Sequence, residues 1–168
     1  MLLSKRDALI AILLCSLPWK SRADVSVAPA GELFSVKFPI EPEKKISEAH
    51  GVVLTIYGSR EGRRSFAVAH ALWLQEPDQV LAMQSIMDGL IERVSAELLS
   101  IERISFVSED GRKLIAKRFT YGSSKLWGGG IAVAVGRHSF LVQVTKPKPS
   151  EDFDSEDDQF ISSFKVLG

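Results

Sequence analysis

Apolar and polar residues alternate along the chain beyond residue 32, with the period of β-strands. Phe34, Val36 and Phe38 are separated by polar residues, which predicts a strand with one buried face. Similar alternation predicts a second strand over 51–58 and a third over 64–74. Both alternating sets of the third strand are apolar, so we expect a central strand that is covered on both faces.

The apolar period lengthens after Pro77, where the pattern becomes helical. Pro77 and Asp78 suit the first turn of a helix. Apolar residues then recur every three or four positions, which predicts a helix of about 22 residues with one face in the core. The members of this stripe are Val80, Met83, Met87, Leu90, Val94 and Leu98.

Two hairpins are predicted in the second half of the chain. In the first, Asp110-Gly111 is typical of a two-residue type I′ turn, here between strands over 103–109 and 112–121. This turn would place Phe106 opposite Ile115. The residues then expected on one buried face are Ile104, Phe106, Ile115 and Phe119.

The second hairpin is predicted to turn at Gly136-Arg137, between strands over 131–135 and 138–145. One of its faces carries large apolar residues, and the other carries Ala132 and Ala134. Because alanine is small, we expect a helix to pack closely on the second face.

The chain closes with an acidic segment, residues 151–158, followed by a short apolar stripe. Ser155 with Asp158 three residues later resembles a capping box, and carboxylates suit a helix N-terminus. We therefore expect a short C-terminal helix. The acidic segment lacks the glycine and the terminal glutamate of an EF-hand calcium loop. The apolar stripe consists of Phe160, Ile161 and Phe164.

The predicted elements, in order, are three strands, a long helix, four strands and a short helix. Runs of strands joined by hairpins, with helices between and after them, indicate an α+β fold. We expect a largely antiparallel β-sheet packed by one long helix and a short C-terminal helix, as an α/β/α-type sandwich.

The first 23 residues have the pattern of a secretory signal peptide. Lys5 and Arg6 precede an uncharged apolar run over 8–17, and the small residues Ser21 and Ala23 follow. That run rises about 15 Å as a helix, whereas a bilayer core is about 30 Å thick. We therefore predict a signal peptide that is cleaved after Ala23.

Export would leave a mature chain without cysteine, because Cys15 is the sole cysteine of the sequence. The bulky Leu14 before Cys15 disfavours a lipoprotein signal. The protein is expected to be periplasmic or secreted, with a flexible leader over 24–31 and one domain over 32–168. No stable membrane span is expected after cleavage.

Composition serves mainly to exclude classes of protein. The 168 residues include 21 basic and 21 acidic side chains, 45% hydrophobic residues and one cysteine. These proportions exclude a collagen-like chain, a fully disordered chain and a disulfide scaffold. The balanced charge argues against a dedicated nucleic-acid binder, so no nucleic-acid partner is predicted.

Several segments resemble the PsbP/DcrB-like superfamily. They are residues 34–39, the predicted late strand over 140–144, and the ending over 160–166. Together with the long central helix, the resemblance spans residues 32–167. It implies an exported α+β sandwich that serves as an accessory subunit, envelope lipoprotein or binding partner, mostly without catalysis. No functional residue of that superfamily has a recognisable counterpart here.

Residues that could carry catalysis or bind a metal are few. His50, His70 and His138 are far apart in sequence, without the paired spacings of a zinc site. No serine lies in a G-x-S-x-G elbow. Residues 128–130 are three glycines, but no predicted helix follows them as a phosphate loop requires. We therefore predict no catalytic residue, no metal site and no cofactor.

His70 is the one candidate for a ligand site, because it shares a predicted strand face with Phe66, Val68 and Leu72. A core histidine that is hydrogen-bonded to backbone or water is the preferred interpretation. A cleft with a carboxylate within hydrogen-bond reach of His70 would favour a functional site. Burial beneath the long helix would favour a structural role.

Basic residues fall into two groups, one around the predicted turn after residue 58 and one at the first predicted hairpin. If the groups met in space, they could receive an acidic partner, although scattered surface charge is the simpler interpretation. The groups are Arg60, Arg63 and Arg64, and Arg112, Lys113, Lys117 and Arg118.

These patterns favour a non-catalytic exported module that acts through a protein partner or an assembly in the cell envelope. The alternative is a small hydrolase or ligand-binding domain with a site around His70.

Overall fold

Strands outnumber helices in residues 24–168, the part of the chain that a computed structural model describes. The predicted signal peptide, residues 1–23, lies outside this part. In chain order the elements are β1 (Val25–Val27), β2 (Phe34–Phe38), β3 (Glu43–Ala49), β4 (Val52–Glu61), β5 (Arg64–Trp73), α1 (Gln79–Arg93), β6 (Glu97–Val107), β7 (Lys113–Gly122), β8 (Leu126–Val135), β9 (His138–Pro147), α2 (Ser155–Ser163) and β10 (Lys165–Val166).

Seven strands form one antiparallel sheet in the order β3-β4-β5-β9-β8-β7-β6. A second sheet of three strands has the order β1-β2-β10. One helix lies on each side of the large sheet, so the predicted α+β sandwich is confirmed. The layer opposite α1 contains the small sheet as well as α2, an addition that the sequence pattern did not indicate.

The α2 face of the large sheet, which α2 and the small sheet cover, contains the larger core. Phe34 of β2 packs against Phe140 with ring centroids 5.7 Å apart. Phe160 of α2 packs against Phe38 and Phe66, at 5.1 Å in each case. All five rings are at most 3% exposed. Aromatic pairs at this spacing stabilise a core beyond the area they bury.

The α1 face is the opposite face of the large sheet, and α1 packs there on β9, β8 and β7. Met83 and Met87 are fully buried against a surface that includes Ala132 and Ala134. The second hairpin turns where the sequence predicts, at residues 136–137. The expected small-residue face and its close helix are therefore both present.

α1 is shorter than its apolar stripe predicts, with 15 residues instead of about 22. The amides of Ser95 and Ala96 donate to the carbonyls of Glu92 and Ile91, and Ser95 has a φ of +49°. This is a Schellman motif, which usually has glycine at the position that Ser95 occupies. Leu98, predicted as part of the helical stripe, lies instead in β6 and is 39% exposed.

The first hairpin has a three-residue connection, 109–111, instead of the predicted two-residue turn. The amide of Ser108 donates to the carbonyl of Arg112 at 2.9 Å, and Gly111 has a φ of +87°. Hairpins with three-residue loops commonly combine a type I turn with a following residue in the left-handed conformation.

The longer connection shifts the register of this hairpin by one residue. Phe106 pairs with Leu114 and not with Ile115. Because neighbouring side chains on a strand point to opposite faces, the shift separates the four residues that were expected together. Ile104 and Phe106 face α2, whereas Ile115 and Phe119 face α1.

Smaller differences occur in four other elements. Asp154 is the N-cap of α2 and forms a capping box with Asp157, one residue before the predicted pair. β1 pairs with β2, so part of the predicted leader is a strand. β3 lies in a segment where no strand was predicted, and it is an edge strand that is exposed at every residue. At the opposite edge, β6 has a bulge between Leu98 and Ser100.

Candidate functional site

The structure brings two of the three histidines together on the α2 face. His70 lies in β5 and His138 begins β9, and these strands pair so that Leu72 is opposite His138. His70 and His138 are thus diagonal neighbours on one face, within reach of each other. Nε2 of His70 lies 2.9 Å from Nδ1 of His138. His50 lies elsewhere, in the turn between β3 and β4.

Glu32 completes a polar array with these two histidines. Its Oε2 lies 3.4 Å from Nδ1 of His70. Its Oε1 accepts hydrogen bonds from the hydroxyl of Tyr57 at 2.8 Å and from Nζ of Lys44 at 3.0 Å. Glu32 precedes Leu33, which has a φ of +56°. The sequence pattern gave no signal for Glu32, because it lies outside any periodic segment.

The hydrogen-bond network assigns the protons of the array. An ionised carboxylate only accepts hydrogen bonds, so Nδ1 of His70 carries the proton that faces Glu32. Nε2 of His70 then accepts from the protonated Nδ1 of His138. The free lone pair of the array is therefore on Nε2 of His138, at its outer end.

Burial and neighbouring charge set the ionisation of the array. Burial alone would raise the pKa of Glu32, but hydrogen bonds from Lys44 and Tyr57 outweigh it and lower the pKa. Burial is the main cause that lowers the pKa of His70, and His138 lowers it further. Burial, then Arg137, lowers the pKa of His138. At neutral pH the array is one carboxylate and two neutral imidazoles.

The two criteria set for His70 give a divided answer. A carboxylate is within reach, as a functional site requires. However, His70 is only 3% exposed, and its ring is stacked on Phe140 with centroids 4.9 Å apart. It lies on the face opposite α1, not beneath that helix. No serine or threonine hydroxyl in residues 24–168 hydrogen-bonds to either imidazole of the array.

A groove lies on the other face of the sheet, beside α1. β5 was expected to be covered on both faces, but its alanines on the α1 face border an open space of about 540 Å³. Its floor is formed by alternate residues of β4 and β5, and one wall is a stripe of α1. The floor residues are Val52, Leu54, Ile56, Ala67, Ala69 and Ala71.

α1 contributes one wall of the groove, and this wall carries a single charged side chain. Ile86, Gly89, Leu90 and Arg93 recur at helical spacing along it. A Cβ added to Gly89 would meet nothing within 4 Å, so this position opens into the groove. Among the described residues that line the groove, Arg93 is the one permanently charged side chain. No ion pair joins Arg93 to an acid within residues 24–168.

The two basic groups of the sequence do not form one patch. Arg60 lies near the end of β4 and Arg63 in the turn that follows, whereas Arg112 and Lys113 lie at the opposite end of the large sheet. Arg64 points away from its neighbours in sequence and binds the acidic start of α2. Its partners are Asp154 at 2.6 Å, Glu156 at 2.8 Å and Asp157 at 3.3 Å.

The acidic segment therefore has a structural role that the sequence pattern did not show. Asp157 is fully buried, and one of its oxygens lies 2.6 Å from Nζ of Lys146. Across residues 24–168, no group of three or more histidine, cysteine, aspartate or glutamate side chains could hold a metal ion. In the same residues, no helix is long and apolar enough to cross a membrane.

Comparisons with known proteins assign no function. No family model and no curated protein matches the chain. A solved structure from Bacteroides thetaiotaomicron VPI-5482 matches with 14% identity and a TM-score of 0.36. The match covers 88% of this chain and 49% of that one, so this chain spans about half the length of that protein. A match at this level says nothing about what the protein binds.

Proposed function

We propose that the protein is a non-catalytic binding module of the cell envelope, and that its groove receives one amphipathic helix of a protein partner. The observation that carries this proposal is the uncovered apolar strip over β4 and β5. An apolar sheet face needs a packed layer to remove it from water. α1 supplies that layer over β7, β8 and β9, and the partner helix supplies it beside α1.

The dimensions of the groove fit a short helix. Ser47 and Ala49 of β3 also line the groove, and strands β3, β4 and β5 span two inter-strand spacings, or about 10 Å, which is close to the diameter of a helix. Four residue steps along β4, from Val52 to Ile56, measure about 14 Å. Nine steps along α1, from Ser85 to Val94, also measure about 14 Å. A helix of this length has about nine residues, with apolar anchors three or four positions apart.

Charge favours one orientation of the partner helix. Arg93 is the last residue of α1, where the helix dipole is negative. A partner helix antiparallel to α1 would bring its own N-terminus to this end, where acidic residues are preferred. An acid in its first turn would meet Arg93. We therefore expect a partner helix with one apolar face and a carboxylate in the first turn.

The sequence patterns support the envelope location in this proposal. The predicted signal peptide implies export, and the resemblance to the PsbP/DcrB-like superfamily implies an accessory or binding role. The alternative, a hydrolase or ligand site around His70, is supported by the contact of Glu32 with His70. The burial of His70 opposes it.

Site-specific crosslinking in the native cell tests the proposal. A photoactivatable benzoylphenylalanine replaces Ser85, which lines the groove, and in a second strain replaces Leu81, which is 68% exposed on the same helix. We expect Ser85 to crosslink to one segment of one protein, identified by mass spectrometry, with an amphipathic helical pattern. Equal crosslinking from Leu81, or crosslinking from Ser85 to a lipid acyl chain, would contradict the proposal.

Direct binding of the identified segment, made as a peptide, gives the second measurement. Gly89→Trp fills the groove and should abolish binding, whereas Leu81→Trp on the outer side of α1 should bind as the wild type does. Arg93→Glu should weaken binding about three- to tenfold, since an exposed ion pair contributes modestly. Thermal melting verifies that each variant is folded. Wild-type affinity in Gly89→Trp would refute the groove as the site.

A further inference from the structure

A hydrogen-bond network centred on Tyr121 lies beside one end of the groove. The hydroxyl of Tyr121 in β7, a fully buried residue, donates to Oε1 of Gln143 in β9 at 2.7 Å. Oγ1 of Thr145, also in β9, lies 2.6 Å from the same hydroxyl. Burial raises the pKa of Tyr121 to about 12, so its hydroxyl keeps its single proton, which goes to Gln143. Thr145 is therefore the donor in the second hydrogen bond.

A glycine of β8 allows Tyr121 to reach β9, two strands away. Tyr121 is opposite Gly128 of β8, and Gly128 is opposite Thr145 of β9. A Cβ added to Gly128 would lie 2.5 Å from Oη of Tyr121, far inside van der Waals contact. The first member of the glycine run 128–130 thus makes room for a side chain that crosses β8 to contact Gln143.

The network leaves the amide nitrogen of Gln143 without a partner. Gln143 follows Leu141 by two residues, so both lie on the α1 face, and Gln143 is half-buried and lines the groove. Nε2 of Gln143 makes no hydrogen bond to any group within residues 24–168. Because Tyr121 holds Oε1 from the side of β8, the NH2 group is directed away from β8 and toward the groove.

Arg93 and Gln143 lie at the same end of the groove. α1 ends at Arg93, and the chain then enters β6 at Glu97, which is opposite Gly122 of β7. The neighbour of Gly122 is Tyr121, which contacts Gln143. Glu97 is exposed and forms no ion pair with Arg93 in the described part of the chain. A guanidinium and an oriented amide donor therefore occur together at one end of an apolar groove.

We propose that Gln143, together with Arg93, selects a carboxylate in the first turn of the partner helix, and that Tyr121 is the positioning residue for the amide of Gln143. This inference rests on the proposed function, because the partner helix supplies the carboxylate. A docked helix removes Nε2 of Gln143 from water, and a buried donor without an acceptor weakens binding. A carboxylate accepts from both donors, whereas an aliphatic side chain accepts from neither. An uncharged amide accepts less strongly than a carboxylate.

Peptides that differ at one position test the selection. The probe is the segment that crosslinks to Ser85, made with Glu, Gln or Leu at the first-turn position nearest Arg93, and calorimetry measures its affinity. We expect the wild-type protein to bind the Glu version about ten- to hundredfold more tightly than the Leu version, with the Gln version between them. Equal binding of the three versions would overturn this inference and leave the groove as the partner site. Absence of binding by all three would refute the proposed function itself.

Variants of Gln143 assign the donor. Gln143→Leu should reduce the preference for the Glu version at least about fivefold, because the oriented donor is lost. Gln143→Glu should bind the Gln version more tightly than the Glu version, because two carboxylates would otherwise face each other. Gln84→Leu makes the first of these changes on α1 outside the groove and should keep the wild-type preference. An unchanged preference in Gln143→Leu would contradict the role of Gln143. Thermal melting verifies that each variant is folded.

Tyr121→Phe tests the positioning role. Without the hydroxyl the amide of Gln143 can rotate, so the preference for the Glu version should fall while the affinity for the Leu version stays within about twofold. In the free protein, the side-chain NH2 signals of Gln143 in nitrogen-15 NMR should shift relative to the wild type. Equal losses of affinity for both versions would show that Tyr121 only supports the fold. An unchanged preference would likewise overturn its positioning role.

Discussion

The two faces of the large sheet consist of the same strands but are covered to different extents. The α2 face is closed by α2 and the small sheet, and the buried imidazole of His70 has partners there in His138 and Glu32. The α1 face has one helix, and the strip beside it is lined by alanine and aliphatic side chains. The closed face therefore holds the domain together, whereas the open face leaves apolar area uncovered.

The largest expected effect is on the closed face. Deleting residues 155–168 removes Phe160, Ile161, Phe164 and Val166, all nearly fully buried. At about 1.5–3 kcal/mol each, these side chains contribute about 6–12 kcal/mol, which is similar to the whole stability of a typical domain. We expect the truncated protein to be unfolded by circular dichroism. The exposed substitution Lys165→Ala should melt as the wild type does.

The buried ion pair that fixes α2 should give the next largest effect. Asp157→Ala leaves Lys146, 5% exposed, without its closest carboxylate. Removing one partner of a buried pair costs about 3–5 kcal/mol. Asp158→Ala, on the exposed side of the same helical turn, should change the free energy of unfolding by less than about 0.5 kcal/mol. Urea denaturation compares the two, and equal losses would contradict the structural role of Asp157.

The histidine array on the same face should contribute less to the free energy of unfolding than the buried ion pair does. His70→Ala leaves Glu32 and His138 without their shared partner, which should cost about 1–3 kcal/mol. His138→Ala should cost about 1 kcal/mol, because Nδ1–H of His138 bonds to His70. His50→Ala should be neutral. If His70→Ala keeps the wild-type melting temperature but loses partner binding, His70 belongs to a functional site.

The pH dependence of stability tests the same array without mutation. The pKa values of His70 and His138 are lowered in the folded protein, so the unfolded chain binds more protons below pH 6.5. The free energy of unfolding should have its full value above pH 6.5, and it should decrease as the pH falls below 6.5. Urea denaturation at pH 7 and pH 5 measures this loss. The double variant His70→Gln/His138→Gln should reduce this pH dependence of the free energy of unfolding. An unchanged pH dependence in the double variant would show that the two histidines do not cause the loss.

The smallest effect, and the one of opposite sign, is expected on the open face. Gly89→Ala should stabilise the protein by about 0.5–1 kcal/mol, because it raises the helix propensity of α1 and its Cβ meets open space. Leu81→Ser on the outer side should be within about 0.5 kcal/mol of the wild type. A loss of stability in Gly89→Ala would show that the groove is closed in solution. Thermal melting is sufficient for this comparison.

Several elements follow directly from the sequence because their local signals are strong. β2, β5 and the hairpin at residues 136–137 follow from alternation and turn residues. The errors have local causes. Ser95 ends α1 in a conformation that glycine usually adopts. Because no glycine marks this position, the apolar stripe of the sequence predicted a helix that continues beyond Arg93, the last residue of α1. One extra residue in the loop at 109–111 was enough to place Ile115 and Phe119 on the face of the sheet opposite to that of Ile104 and Phe106.

The candidate sites could be predicted less well because they depend on which strands are neighbours. His70 and His138 meet through the pairing of β5 with β9, and the sequence alone does not specify that pairing. Glu32 joins them from a segment without periodicity. The groove was hidden for another reason: the alanines of β5 have the same pattern whether a helix covers them or not.

The edges of the large sheet determine how the chain behaves beside its own copies. β6 exposes Leu99, Ile101 and Val107 along a strand with no outer neighbour in the described residues, a combination that promotes stacking into fibrils. Its bulge between Leu98 and Ser100 bends the strand, so a flat strand of another molecule cannot follow the ladder. At the other edge, the lysines and glutamates of β3 repel such an addition. The protein thus has a wide sheet that resists growth into an aggregate from either side.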